Sequence, residues 1–574
     1  MTAVRLAALG ILLAAPWSYA GSAGEGASPE SAAGALPQTT GRIATISIER
    51  TNVFDPSVPG EDWWPFRIAN RIHILTRERV VAREALLRPG DPWQNLKALE
   101  TERNLRSLGF IRHADMRPML RPDGRLDVGI RTQDSWTLAP QLGVGTEGGE
   151  HFFVSGVREG NLLGFGKEVS FFHSEIGSET RNELRYVDPR VLNTWQQLTS
   201  HYSKTSRGDE IGVMVHRPFF SFETRHAMDV SWARVVQENT LYQNADDTTE
   251  FLQDFRTVRA SVGRRLGDST RLVQRASVGT LFARSLFTAA DGTTPGTLPE
   301  DRTLSGPVFG YSWIQPRYLK EINIDRMQRV EDFNLGNELS LSAGPMLRSW
   351  GSDRDRWVFT ALSQQGLGFG PGRFALAQVG ANARAAGGAF ENALLYANLN
   401  LFWKPGWAMG QTLVGHVEFN TTRRLDGEKQ IILGGDSGLR GYKNNSFTGG
   451  RSILFNFEDR LFLDREFFHL LYLGGVAFVD AGHVTREGGP LALDSFKSDV
   501  GFGLRLSPSR STSGGVLRLD LAYALNGGPG NDRWVATLRA GQAFDLLGSA
   551  SRSALRSPDA VLAEGSATDR LRRR

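Results

Sequence analysis

Leu433-Gly434-Gly435-Asp436-Ser437-Gly438-Leu439-Arg440-Gly441-Tyr442 is glycine-dense, carries one arginine near its end, and runs on into Lys443-Asn444-Asn445-Ser446. Glycines on both sides of Arg440 let the backbone turn through positive φ values that other residues avoid. A loop built this way can enter a confined space with a single cation at its tip. Downstream, Phe478-Val479-Asp480-Ala481-Gly482 places one acid in an otherwise apolar, strand-like run. Gly435-Asp436-Ser437-Gly438 also matches the short run around a serine-protease nucleophile. That chemistry needs a histidine base held by a carboxylate, and neither has a recognisable setting here. The extracellular form of that fold is usually disulfide-bonded, whereas this chain has no cysteine. A plain surface hairpin with an exposed arginine is the other ordinary reading, and the rest of the chain decides between them.

From Trp136 to Phe544 short alternating runs are separated by loops rich in Gly, Asn, Asp, Ser and Pro. Gly166 to Phe171, Ile211 to Val215, Leu339 to Ala343 and Asp499 to Leu506 are examples. Apolar residues on one face and small or charged ones on the other suit a transmembrane β-barrel, with lipid outside and water inside. Strands of about 9–11 residues suffice to cross, and open edges cannot persist in lipid, so the sheet must close. A soluble sandwich or propeller would also alternate. Against those stand 64 glycines and 33 phenylalanines, with aromatics ending many runs as interfacial girdles do (Phe171-Phe172, Phe219-Phe220, Tyr311, Trp313, Phe402-Trp403, Phe462). The fold class is therefore mainly β, an antiparallel transmembrane barrel preceded by a small α+β domain. The barrel is expected over 134–544. Its first strand, Leu138 to Thr146, and its last, Trp534 to Phe544, must pair. Both are poor in β-branched residues and carry glycine (Gly143, Gly145, Gly541), and Pro140 lacks a ladder donor, so this seam is the weakest pairing expected.

The 574-residue chain is too long for one ordinary domain. Arg5, the apolar run Leu6 to Ala15 and Ser18-Tyr19-Ala20 form a secretory signal peptide, residues 1–20. Residues 21–41 read as a disordered linker and 545–574 as a disordered basic tail. The small domain occupies 42–133. Ile43 to Ile48 alternates like a strand, and an insertion with Trp63-Trp64-Pro65 follows. Thr76 is placed to cap a helix carrying Val80, Val81, Ala85 and Leu86. A second helix starts near Asn95, and strands Ile111–Leu120 and Leu126–Ile130 flank the turn Arg121-Pro122-Asp123-Gly124. Trp136 joins the halves, as an interfacial anchor or as a core residue.

The Arg-Gly-aromatic loop followed by Phe-x-Asp-x-Gly resembles the signature pair of the BamA/TamA-type outer-membrane assembly superfamily, the bacterial surface antigen family. Here the loop reads Leu-Arg-Gly-Tyr where Val-Arg-Gly-Phe is commoner. Asn161-Leu-Leu-Gly164-Phe-Gly166, Tyr186-Val-Asp188-Pro189 and Arg217-Pro218-Phe219 resemble further family positions. The small domain resembles a single POTRA domain, and the run to Phe544 looks like a C-terminal assembly signal. The resemblance implies about sixteen strands and a loop folded into the barrel. It implies that Arg440 meets Asp480 on the inner wall, helped by Glu458, with Gly441, Tyr442, Phe478 and Gly482 completing the motif. It implies that the Gly143/Gly145 and Gly541/Phe544 seam is a lateral gate, and that the POTRA edge takes client strands. The chain would then assemble, insert or translocate client polypeptides or lipids at the bacterial outer membrane, its POTRA domain in the periplasm. Implied partners are outer-membrane lipids and lipopolysaccharide, client polypeptides, and periplasmic or inner-membrane proteins. The alternative is a specific exporter or conducting channel like the two-partner secretion barrels. Those carry a plugging helix and two POTRA domains, which this chain does not show.

No enzyme is expected. The ten histidines show no metal-ligand spacing, and Gly366 to Gly372 lacks the lysine of a phosphate loop. The acid pairs Glu331-Asp332 and Asp246-Asp247 suit loops or a lumen better than acid/base work. No cofactor, metal or nucleic acid is called for, since the formal charge is only +4 and the arginines are dispersed.

Overall fold

The computed structural model describes residues 40–147, 150–176, 179–290, 298–406, 410–511, 516–530 and 533–540. The signal peptide, nearly all of the linker, Gly541, Phe544 and the tail lie outside the described residues.

The small domain runs β1 (Ile43–Thr51), α1 (Trp64–Ile72), α2 (Glu78–Ala82), α3 (Asn95–Ser107), β2 (Ile111–Leu120) and β3 (Leu126–Asp134). β3 is central, parallel to β1 and antiparallel to β2. Alternate residues Leu126, Val128 and Ile130 of β3 face Val80, Val81 and Leu105 from the helices, closing one apolar core. Three expectations need correction. The tryptophan insertion forms the helix α1. Thr76 caps no helix: its backbone N–H and its hydroxyl donate to Asp134 at 2.7 and 2.8 Å, so α2 starts later. α2 also ends at Ala82, because the Leu86 N–H turns away to Thr101 Oγ1 at 3.1 Å. Asp134, assigned to the barrel, thus closes the small domain instead.

The barrel has twenty strands rather than about sixteen, from β4 (Leu138–Glu147) to β27 (Trp534–Ala540), each beside its sequence neighbour. The sheet closes with β27 beside β4. About sixteen was the number the resemblance implied, and alternation by itself shows the faces of a run but not where one run breaks into two strands. Two short ladders lie outside the wall: β14 (Tyr318–Glu321) with β15 (Glu331–Asn334), and β21 (Ile431–Leu433) with β22 (Phe447–Gly449). Because consecutive strands alternate direction, turns such as 315–337 lie at the rim beside the small domain (the near rim), and 424–450 at the far rim.

β23 (Arg451–Phe467) shows the facing plainly. Phe455, Phe457 and Leu461 are exposed outward, while Asn456, Glu458 and Arg460 are buried inward. The expected aromatic girdle is split by the same period of two. Phe171, Tyr311 and Trp403 face out, but Phe219, Phe402 and Phe462 are buried inside. Trp136 packs, partly buried, against the cluster of Val53, Phe54 and Phe66, and its backbone N–H donates to Arg510 O at 2.6 Å, so it packs at the joint.

Candidate functional site

A closed sheet of twenty strands is too wide for wall side chains to fill. Chain inserted from both rims occupies part of the interior instead. From the far rim, the loop between β20 (Gln411–Arg423) and β23 descends and ends on the inner wall of β23, β24 (Leu471–Thr485) and β25 (Lys497–Pro508).

Arg440 is the tip of that loop. Its Nε and Nη2 donate to the two oxygens of Asp480, both at 2.7 Å, and Nη1 donates to Glu458 at 2.5 Å. The guanidinium lies 3.5 Å over the Phe478 ring. Strand pairing explains the convergence: Asn456, Asp480 and Asp499 are register neighbours across β23, β24 and β25, and Glu458 pairs with Phe478. Asn456 then donates to Asp480 at 2.7 Å and to Gly438 O at 2.8 Å, fixing both wall and loop. All three charged partners are essentially inaccessible, Arg440 at 2% and both acids at 0% exposure. A buried charge persists only when paired and hydrogen-bonded, and this fork-to-fork geometry meets that condition.

The glycines have individual reasons. A Cβ on Gly441 would stand 2.5 Å from Asp499 Cβ and 3.1 Å from the Ala524 N, so only glycine lets the loop backbone reach the wall. Gly438 adopts φ +111°, and a Cβ there would meet Leu454 at 2.3 Å. Tyr442 anchors the exit of the turn by donating to Ser498 O at 3.0 Å and to Asn526 O at 3.2 Å. Gly482 backs the same cluster, 3.1 Å from Leu433 by the same measure. The loop is also held from above by the long hairpin of β10 (His226–Gln243) and β11 (Asp246–Leu266). Ala245 N–H donates to Asn445 O at 3.2 Å, and Tyr242 N–H to Gln430 Oε1 at 2.9 Å. Nothing in the sequence pattern indicated that cover.

The second insertion comes from the near rim and was not foreseen. The β14–β15 hairpin packs Ile324, Phe333 and Leu335 against Phe374, Leu376, Phe402 and Val414. The two insertions are joined through the wall. Glu458, which accepts from Arg440, also accepts from Arg460 Nε at 2.6 Å, and Arg460 Nη1 donates to Ile324 O at 2.6 Å. The hairpin in turn holds the small domain. Arg106 of α3 donates to Asp332 at 2.9 and 3.0 Å, and Lys320 donates to Glu102 at 2.9 Å. Polar contacts thus run from α3, through the backbone of the β14–β15 hairpin, to the tip of the far-rim loop. The signal available in sequence was the pair Glu331-Asp332, assigned correctly to a loop or lumen but without its partners.

Glu61, Glu466 and His469 come close enough to hold a cation. Arg510 already supplies the positive charge there, at 2.5 Å from Glu61 and 2.8 Å from Glu466. The cluster therefore fastens the small domain to the barrel, with Arg510 as its cation. At the seam, Gly143 and Gly145 pair with Val154 and Phe152 of β5 (Glu150–Glu159) on one side, and β4 faces β27 on the other. The described part of β27 is seven residues against ten in β4.

Closed sheet, apolar exterior and doubly plugged charged interior define a transmembrane β-barrel with a lumen-inserted loop. No family model and no curated protein matches the chain. Among solved structures it is similar to CdiB from Escherichia coli, at 12% identity and TM-score 0.43, over 87% of this chain and 76% of that one. CdiB from Acinetobacter baumannii gives 12% and 0.42, over 88% and 74%. BamA from Haemophilus ducreyi lacking POTRA domains 1-3 gives 12% and 0.35, over 87% and 83%.

Proposed function

We propose that this barrel sits in the bacterial outer membrane and assembles, inserts or translocates client polypeptides or lipids there, using the seam between β27 and β4 as a lateral exit. The small domain acts as a periplasmic POTRA domain, and an edge of its β1-β3-β2 sheet takes an added client strand. The observation that carries this reading is the double plug. Far-rim loop and near-rim hairpin meet through Glu458 and Arg460, which leaves the wall rather than the lumen as the route. The alternative, an exporter or conducting channel, requires both insertions to leave.

The test is a disulfide lock. Cysteines at Gly143 and at positions from Leu538 to Ala540 are introduced into a chain that has none of its own. Locking should abolish function with the barrel still folded, and reductant should restore it. Full activity with the seam locked would favour lumen conduction instead.

A further inference from the structure

The helix α1 carries a stripe that neither plug nor seam explains. Trp64, Ile68 and Ile72 follow one another at i, i+4 and i+8, spanning about 80° of the helix surface at 3.6 residues per turn. They are 58, 51 and 65% exposed, and Trp63 before them is 59% exposed. Arg67 and Arg71 are exposed along one flank, and α1 contains no acidic residue. The opposite face is satisfied: Phe66 is buried and stacks on Phe54 with centroids 4.3 Å apart. The exposed apolar face is therefore spare surface and not a core turned outward by accident.

Its neighbour indicates what covers it. Trp63, Trp64, Phe66 and Arg67 share a shallow recess with Phe468 and His469, the near-rim turn between β23 and β24. Phe468 is 80% exposed at the tip of that turn, and Phe457, Leu461 and Leu463 face outward on β23 before it, with Asp459 and Arg465 at the positions between and after them. Other near-rim turns also present apolar tips, Leu163 at 54% and Leu192 at 90%. The N-terminal end of the stripe thus lies beside an exposed apolar near-rim turn of the barrel.

We infer that α1 is an interfacial helix whose Trp64–Ile68–Ile72 face lies in the adjoining lipid leaflet, with Arg67 and Arg71 meeting anionic headgroups. Indole rings favour the headgroup region, and an amphipathic helix with a basic flank binds anionic lipid in this pose. The inference rests on the barrel lying in a bilayer. Its consequence is positional: α1 is followed directly by the Thr76–Asp134 contact, so leaflet binding would hold the small domain against the membrane near the seam.

The experiment places an environment-sensitive fluorophore on a single cysteine at Ile68→Cys or Ile72→Cys in the full chain. The protein is reconstituted in phosphatidylcholine/phosphatidylglycerol vesicles with and without lipids bearing a doxyl quencher. Phe457→Cys on the outer wall and Asp123→Cys in the exposed β2–β3 turn serve as references. The expected result is loss of fluorescence at 68, 72 and 457 but not at 123. Quenching at 457 with none at 68 or 72 overturns the proposal, also if the emission at 68 is blue-shifted, since a second protein surface then covers the stripe. No quenching at 457 would instead remove the bilayer reading itself, and the proposal with it.

Discussion

Replacing Arg440 by alanine removes a cation that serves two buried acids. Asp480 would keep only Asn456, and Glu458 only Arg460, among the partners described above. Removing one partner of a buried pair costs about 3–5 kcal/mol, chiefly from the uncompensated charge left behind. Asn456 and Arg460 stay in place as second partners, so the lower half of that range is expected. At about 1.4 kcal/mol per tenfold, docking of the loop weakens by roughly two to three orders of magnitude. The assay is limited trypsin digestion of the folded barrel in detergent, with fragments mapped by mass. Cleavage at Lys443 follows the open population when opening is fast, so its rate should rise by a similar factor. Arg440→Lys should fall between, because a lysine keeps the charge but not the fork. The exchange Arg440→Asp with Asp480→Arg should recover part of the protection. An unchanged rate at Lys443 in Arg440→Ala, with the barrel folded, would refute the pairing as what holds the loop.

Gly441→Ala should release the loop almost as well as Arg440→Ala despite leaving every charge in place, since its Cβ would stand 2.5 Å from Asp499 Cβ; the same digestion reads it. Asp332→Arg should break the Arg106 contact and set like charges together, costing about 1–3 kcal/mol at this part-buried site; hydrogen exchange should then quicken in α3 and in β14–β15 together. Glu100 of α3 is held up to about 7, first by burial and against the opposing pull of Arg103. A carboxyl raised in the folded state stabilises fully below its unfolded value near 4.5, and that contribution is lost as pH rises towards and past 7. It amounts to roughly 3–4 kcal/mol, so protease resistance of α3 in the full chain should fall over that window. Glu100→Gln should flatten the profile, and an unaltered profile would contradict the assignment.

How much could be read beforehand depended on whether a residue's partner was close in pattern or only close in space. The glycine-flanked Arg440 and the lone acid Asp480 are each odd in their own surroundings, so both stood out. Outward positions followed from a period of two, but Phe402-Trp403 shows its limit: adjacent aromatics must split, one inside and one out. α1 was hidden because Trp63-Trp64-Pro65 opens it, and proline at a first turn reads equally as a loop. The near-rim hairpin was hidden more deeply. Its strands are four residues each, and it is stabilised by Phe374, Phe402 and Val414 on other parts of the wall. The Thr76 error is of the same kind, since Asp134 lies far along the chain from the helix that Thr76 would cap.

The two possible routes through this molecule differ in what must be broken. Opening the lumen requires lifting the Arg440 network and also withdrawing Ile324, Phe333 and Leu335 from their contacts. At about 1.5–3 kcal/mol for each buried apolar side chain, the hairpin alone resists by several kcal/mol, and nothing entering from either rim replaces those contacts. Opening the seam in lipid is costlier still if the strands simply part, because each bared backbone group costs several kcal/mol where water is absent. An incoming extended segment changes that balance. Its own N–H and C=O groups take over the ladder of β4 or β27 one residue at a time, so the exchange is close to neutral throughout. On the proposed function the seam would therefore discriminate by secondary structure, staying shut against ions and small solutes and yielding to a chain able to form a strand. Such a seam would favour clients with alternating β segments over helical or compact ones. A conductance that rises on adding a strand-forming peptide, with the seam disulfide closed, would show the reasoning to be wrong.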